Sequence, residues 1–215
     1  MTELFSETRW WWLRHGPIAA PNAGRINGQL DVDADLSDSA TVRALAGALP
    51  DGARWITSSL KRTHQTAAAL LQSAEYEAAP EIEAAFSEQH FGDWQGMTWD
   101  EVAGSPDADA FWKDAGGTRP PGGESFSEQI SRVADAVTRL SKVHLGRDLV
   151  VVAHAGTIRA ALAHALGLDA TRGLSLTVDT LSLSRIDCMG ADAPMRRGGN
   201  WRVGCINRIF SGDSR

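Results

Sequence analysis

"RDLVVVAHAG", residues 147–156, carries five successive apolar residues, Leu149 to Ala153, before His154, Ala155 and Gly156. A strand with one wet face alternates apolar and polar side chains. An unbroken apolar run marks a strand covered on both faces, as in parallel sheets flanked by helices. The stretch that follows, "GTIRAALAHALG" (156–167), reads as the helix behind that strand and ends on Gly167, a residue suited to a left-handed helix cap. Working outward, "RWWWLRHGPI" (9–18) repeats the pattern. Arg9 to Leu13 reads as a short buried strand that stops before Gly16-Pro17. Alternation sends Trp10 and Trp12 to one face and Trp11 to the other, so the tryptophans read as packing.

The remaining segments continue the alternation. Ser37 or Asp38 caps an expected helix over 39–49, and Arg54 to Thr57 forms another strand. "SSLKRTHQTAAALLQ" (58–72) opens a helix with Ser59 as its expected cap. Glu81 to Phe86 reads as a short strand, with helical pieces at Trp99 to Val102 and Ala108 to Asp114. "PPGGES" (120–125) leads into a helix from Ser125 to Leu140, apolar at Ile130, Val133, Ala134, Val137 and Leu140. Leu174 to Ile186 and Trp201 to Phe210 are two late strand candidates around a Gly/Pro-containing turn. The pattern predicts an α/β fold, a three-layer α/β/α sandwich with a mostly parallel central sheet.

At 215 residues, with 43% hydrophobic and 22% charged residues, the chain fits one globular domain over 1–215. The start, MTELFSET, has neither a basic n-region nor an apolar run, so a cytoplasmic protein is expected, with no membrane partner. The formal charge of −6 argues against nucleic acid, whose binding needs a positive face. A small anionic substrate is compatible, because a few focused arginines outweigh a diffuse acidic surface. Cys188 and Cys205 are too few for a disulfide framework or a zinc site. They read as free, half-buried thiols, with one bridge between neighbouring strands as the alternative.

Ligands of such sheets collect at the carboxyl ends of the strands. That rule selects three places: Arg14-His15, Ser58 to Arg62, and His154-Ala155-Gly156. If the strands are neighbours, two imidazoles and two guanidiniums meet in one cationic pocket. Guanidinium forks match phosphate oxygens, and helix N-termini add N–H donors. Phosphoryl transfer needs little more than a nucleophile in line and a proton for the leaving oxygen.

Five segments occur in order: "LRHG" (13–16), "SSLKRTHQTA" (58–67), "EQHFGDWQG" (88–96), "PGGES" (121–125) and "VVAHAG" (151–156). Together they resemble the histidine phosphatase superfamily, the phosphoglycerate-mutase-like group, over about residues 9 to 166. The resemblance implies a metal-independent phosphatase acting on a small phosphorylated metabolite, with no cofactor. His15 would attack phosphorus and carry a phosphohistidine. Arg14, Arg62 and His154 would clamp the phosphoryl group. Glu88 would protonate the leaving alcohol and then activate water. "RINGQLD" (25–31) resembles the family's substrate loop, making Asn27 and Gly28 candidate phosphate contacts, with Ala155 beside His154. The chain departs from the family at Pro17, where Glu or Gln is usual. It departs again at Pro21, where many members have Asn; Asn22 follows one position later as the candidate.

Several functions fit this resemblance: a general phosphomonoesterase, an α-ribazole phosphatase, or a phosphoglycerate mutase. Mutases of the group usually carry a longer insert before the second histidine, and only 66 positions (154 − 88) separate Glu88 from His154, which favours hydrolysis. An inactive phosphate-binding scaffold is the non-enzymatic rival, and a homodimer is left open. His64, His90, His144 and His164 read as ordinary surface or core residues, and Arg159 as a surface or packing residue. Arg196, Arg197 and Arg202 read as a solvated basic hairpin, with a phosphate or partner site as the alternative. Trp94 and Trp99 are expected at the mouth of the site.

Overall fold

The structure is a computed structural model that describes residues 6–190 and 200–211. Six strands form one sheet: β1 (Glu7–Arg14), β2 (Arg54–Thr57), β3 (Glu81–Ile82), β4 (Asp148–Ala153), β5 (Leu183–Met189) and β6 (Trp201–Arg208). Their order is β3-β2-β4-β1-β5-β6. The β2–β3, β2–β4 and β1–β4 pairings are parallel, and β5 and β6 add an antiparallel edge. The sheet is therefore mostly parallel.

β4 lies at the centre and its apolar run divides between two cores. Leu149, Val151 and Ala153 join Trp10, Trp12, Phe86 and Phe126 on one side. Val150 and Val152 join Leu13, Trp55 and Leu70 on the other. The first face is covered by α5 (Phe126–Val143) and α6 (Ala155–Leu166), the second by α1 (Ser39–Ala46) and α2 (Lys61–Ser73). Each fully buried aliphatic side chain in these layers is worth about 1.5–3 kcal/mol. Trp10 and Trp12 stack at 5.3 Å on one face, while Trp11 lies under the Arg185 guanidinium on the other.

A third, smaller core of Ile26, Trp94, Val102, Ala108 and Phe111 joins the 25–31 loop to α3 (Trp99–Val102) and α4 (Pro106–Lys113). Thr98 caps α3 through a reciprocal capping box with Glu101, and Ser105 caps α4 before Pro106; both devices match the residue types that helix starts prefer. These two short helices form a ledge beside the carboxyl ends of β1 and β4.

Local chemistry explains where the elements differ from expectation. Ser59 does not cap α2: its hydroxyl pairs with Ser87 Oγ at 2.9 Å. The carboxylate of Asp31, from the 25–31 segment, instead accepts the Lys61 N–H at 2.6 Å. Glu81 to Phe86 is a two-residue strand and then a 3-10 turn, capped by Glu83 accepting from Ala85 N. The expected strand from Leu174 begins only at Leu183; Leu174 itself closes α7 (Ala170–Leu174), whose start is capped by Asp169 accepting from Arg172 N. α5 starts where expected, with Ser125 as its cap, and runs on to Val143. Asp38, rather than Ser37, caps α1.

Candidate functional site

The strand tips bring the predicted residues together. Arg14, His15, Asn27, Gly28, Arg62 and Glu88 all border one pocket of about 240 Å³, beside the ledge residue Trp99. β1 and β4 are adjacent parallel strands, so their final residues, Arg14 and Ala153, sit in register. His15 continues that alignment, its N–H donating to Ala153 O at 3.0 Å. The His15 and His154 rings meet edge to face with centroids 5.1 Å apart.

Hydrogen bonding decides which nitrogen of His15 is reactive. His15 Nδ1 lies 2.6 Å from Gly16 O. A carbonyl oxygen can only accept, so Nδ1 carries the proton and Nε2 keeps its lone pair. Arg62 Nε–H is shared between that lone pair and His154 Nδ1, at 3.2 Å each. With Nδ1 accepting, the neutral His154 ring donates from Nε2 to Ser58 Oγ at 2.8 Å. Ser58 in turn meets Thr63 Oγ1 at 3.1 Å, and Thr63 donates to Leu60 O at 2.8 Å. Both ring nitrogens of His154 are thus engaged within the protein.

Arg62 is 1% exposed and ties three elements together. Its terminal nitrogens donate to Leu30 O at 2.8 Å and Gly28 O at 2.7 Å, closing the 25–31 loop over α2. Each of those nitrogens keeps a second N–H. Arg14 Nη1 donates to Val178 O at 2.6 Å, while its buried Nε–H has no protein partner. Gly28 adopts φ +47°, and a Cβ there would collide with the Gln95 carboxamide, so only glycine fits this close approach.

Glu88 sits where a 3-10 turn meets the start of α6. One oxygen accepts from Gln89 N at 3.0 Å and Gln129 Nε2 at 3.3 Å, the other from Gly156 N at 3.4 Å. Three N–H donors therefore aim the carboxyl at the pocket, one of them from a helix N-terminus. A Cβ on Gly156 would strike both Glu88 Oε1 and Gln129 Oε1. Arg132, one turn beyond Gln129 on α5, holds the Glu88 backbone carbonyl at 3.1 Å and pairs with Glu124.

Burial is the largest influence on the His15 imidazole and, with the Arg62 charge, lowers its pKa to about 3; the bond to Gly16 O opposes this, and Arg14 adds to it. His154 is held well below the ordinary value by burial first and then by Arg62. Both rings are neutral at pH 7. Burial also lowers the pKa of Arg14 and of Arg62, with Glu88 opposing it in each case; guanidinium remains charged throughout. The stability consequence has a definite sign. Below about pH 6.5 the unfolded chain takes up protons at these histidines that the folded chain refuses. Stability contributed by the neutral rings is present above that pH and is lost as pH falls toward 3. We expect the urea midpoint to drop between pH 7 and pH 5, His15 alone contributing about 2 kcal/mol. A ring-carbon NMR resonance of His15 that titrates near pH 6.5 would contradict this.

Not every candidate joins the pocket. The Asn22 side chain is not among the lining residues, and Asn22 contributes its backbone oxygen, which accepts from Asn27 Nδ2 at 3.0 Å. The Asn27 amide nitrogen is also bonded to Arg25 O, leaving its buried Oδ1 without a protein donor. Ala155 borders a neighbouring pocket together with Glu88. Trp99 is at the mouth as expected, whereas Trp94 is buried in the small core beneath it. Arg202 pairs with Glu7 and Asp187 far from the strand tips; Arg196 and Arg197 lie outside the described residues. Cys188 and Cys205 are unpaired and half-buried. Among the described residues no group of three or more His, Cys, Asp or Glu could hold a metal ion, and no helix is long and apolar enough to cross a membrane.

The profile of the histidine phosphatase superfamily, branch 1, matches residues 10–199. The chain belongs to the histidine phosphatase superfamily. It is 37% identical over 168 residues to a glucosyl-3-phosphoglycerate phosphatase of Mycolicibacterium vanbaalenii, covering 73% of each protein. It is 33% identical over 157 residues to a metal-independent phosphoserine phosphatase of Arabidopsis thaliana, covering 69% of this chain and 64% of that one. A mycobacterial glucosyl-3-phosphoglycerate phosphatase structure superposes with a TM-score of 0.78 at 25% identity, over 94% of this chain and 99% of the other.

Sequence reasoning gave no individual role to Ser58, Gln129 or Arg132. Ser58 lies inside the quoted "SSLKRTHQTA" segment and was within reach. Gln129 and Arg132 act on Glu88 from a helix 41 and 44 residues away, a pairing that no local pattern carries.

Proposed function

We propose that this histidine phosphatase hydrolyses a small phosphomonoester in two steps, with His15 as the nucleophile. The carrying observation is the unprotonated His15 Nε2, directed by the Nδ1–H bond to Gly16 O and set among Arg14, Arg62 and Glu88. In the first step Nε2 forms a bond to phosphorus as the bond from phosphorus to the ester oxygen breaks. Glu88, as the carboxylic acid, gives its proton to that oxygen. In the second, the Glu88 carboxylate takes a proton from water as the water oxygen attacks phosphorus. The phosphorus–nitrogen bond breaks, and inorganic phosphate and neutral His15 are released.

The free Nε–H of Arg14 and the second N–H groups of Arg62 suit the equatorial phosphoryl oxygens, where charge accumulates. His154, with both ring nitrogens bonded, acts through Arg62 by keeping its Nε–H directed at the nucleophile. The phosphatase activities named for two relatives support hydrolysis over transfer to a second metabolite.

The assignment of Glu88 is tested by leaving-group dependence. Glu88→Gln should lower kcat/KM about 10²-fold for alkyl phosphates but much less for p-nitrophenyl phosphate, whose phenolate leaves without a proton. Equal losses for both would remove Glu88 from the acid role. Activity should be unchanged by a chelator. Product release as inorganic phosphate, rather than transfer to an added glycerate acceptor, separates hydrolase from mutase.

A further inference from the structure

Beside the phosphoryl pocket lies a second cavity of about 460 Å³, and Glu88, Phe91 and Trp99 border both. Resting on the reading of Glu88 as the acid facing the leaving oxygen, we propose that this cavity receives the alcohol half of the substrate, and that this half carries a ring and a carboxylate. The ring lies against Trp99 and Trp112, and the carboxylate meets Arg159.

The wall is overbuilt for the fold. Phe111 fills the small core, 5% exposed, whereas its neighbour Trp112 stays 60% exposed and Trp99 40%. The two indoles sit 5.2 Å apart, inclined by 54°, and make one broad apolar face on the cavity. Exposed tryptophans on a concave surface offer a flat surface to an aromatic ring or to the C–H face of a sugar.

Arg159 supplies the charge. It projects from the second turn of α6 into the same cavity and is fixed by its Nε–H donating to Leu176 O at 2.7 Å. Its terminal nitrogens have no acceptor, and no carboxylate lies within ion-pair distance, among the described residues. Lys113 and Asp114 at the rim carry opposite charges and offset each other. A half-buried guanidinium without an anion, facing an apolar wall, is complementary to a planar carboxylate. Arg159 does not border the phosphoryl pocket, so its complement is a second anionic group rather than the phosphoryl group itself.

The test compares four substrates: phenyl phosphate (ring alone), phospholactate (carboxylate alone), 3-carboxyphenyl phosphate (both, aromatic) and glucosyl-3-phosphoglycerate (both, sugar). Wild-type kcat/KM should be about tenfold or more higher for the last two than for either single-feature substrate, and their ratio distinguishes aromatic ring from sugar. Trp112→Ala should reduce the ring preference, 3-carboxyphenyl phosphate over phospholactate, about five- to tenfold and leave the carboxylate preference intact. Arg159→Gln should reduce the carboxylate preference, 3-carboxyphenyl over phenyl phosphate, about 10- to 100-fold, with partial recovery in Arg159→Lys. Uniform losses across all four substrates, or unchanged ratios in both variants, overturn the proposal. So does a change in mass by light scattering in Trp112→Ala without a change in selectivity, which assigns the indoles to self-association. A wild-type protein that turns over none of the four refutes the underlying phosphatase reading instead.

Discussion

His15→Asn is expected to lower turnover by about 10⁴-fold or more, and to abolish an acid-labile phosphoenzyme that the wild-type protein forms on this residue. The size of the effect follows from what the ring provides. No other side chain bordering the phosphoryl pocket offers a neutral nitrogen lone pair at pH 7: Arg14 and Arg62 are cations, and Glu88 is placed to move protons. His154 cannot substitute: it does not border that pocket, and its Nε2 is turned away to donate to Ser58 Oγ. Asparagine is close in size to the part of histidine that reaches Gly16 O, so the strand tip should keep its shape. The measurement is kcat on p-nitrophenyl phosphate, paired with intact-mass detection of phosphoprotein after an acid-free quench. Residual turnover within a hundredfold of wild type, or phosphate on another residue, would dismiss the phosphohistidine at this position.

Arg62→Met should reduce kcat/KM by about 10³-fold or more and also lower the melting temperature. Removing one preorganised donor to developing charge typically costs about 10²–10³-fold. Arg62 has a structural task besides. Its loss leaves Gly28 O and Leu30 O without their donor, at about 1–3 kcal/mol for each carbonyl that remains buried. The 25–31 loop, which also caps α2 through Asp31, should loosen. Arg62→Lys separates the two tasks: it keeps a cation but cannot span both carbonyls and both imidazoles from one planar fork. We expect Arg62→Lys to retain most of the melting temperature lost in Arg62→Met while recovering only part of the activity. A kinetic loss below tenfold in Arg62→Met would mean that its charge does not act on the phosphoryl group.

The legible part of this protein was legible for a reason. β4 is buried on both sides, so every position from Leu149 to Ala153 had to be apolar, and that run alone implies a sheet between helix layers. Strand tips in such sheets face a crevice, which is why Arg14, His15, Arg62 and His154 could be named without coordinates. Where the interaction was local, a capping residue was legible as well: Asp38 accepts from the N–H three residues ahead. The failures have the opposite character. α2 is capped by Asp31 from another segment, and the expected strand from Leu174 starts nine residues later, at Leu183, after α7 has ended at Leu174.

The sequence by itself determined the layer order, the residues at the strand ends and the family, because each rests on periodicity or on residues close together in the chain. Only the tertiary structure decided the protonation and partners of those residues. The free nitrogen of His15 follows from the distance to Gly16 O. Its neutrality follows from burial beside Arg62. The aim of Glu88 follows from Gln129 and Gly156, and the cavity beyond it is made by α4 and α6, which are far apart in the chain. Desolvation and hydrogen-bond geometry depend on which segments meet in space, and those meetings are set by packing rather than by any local pattern of residues.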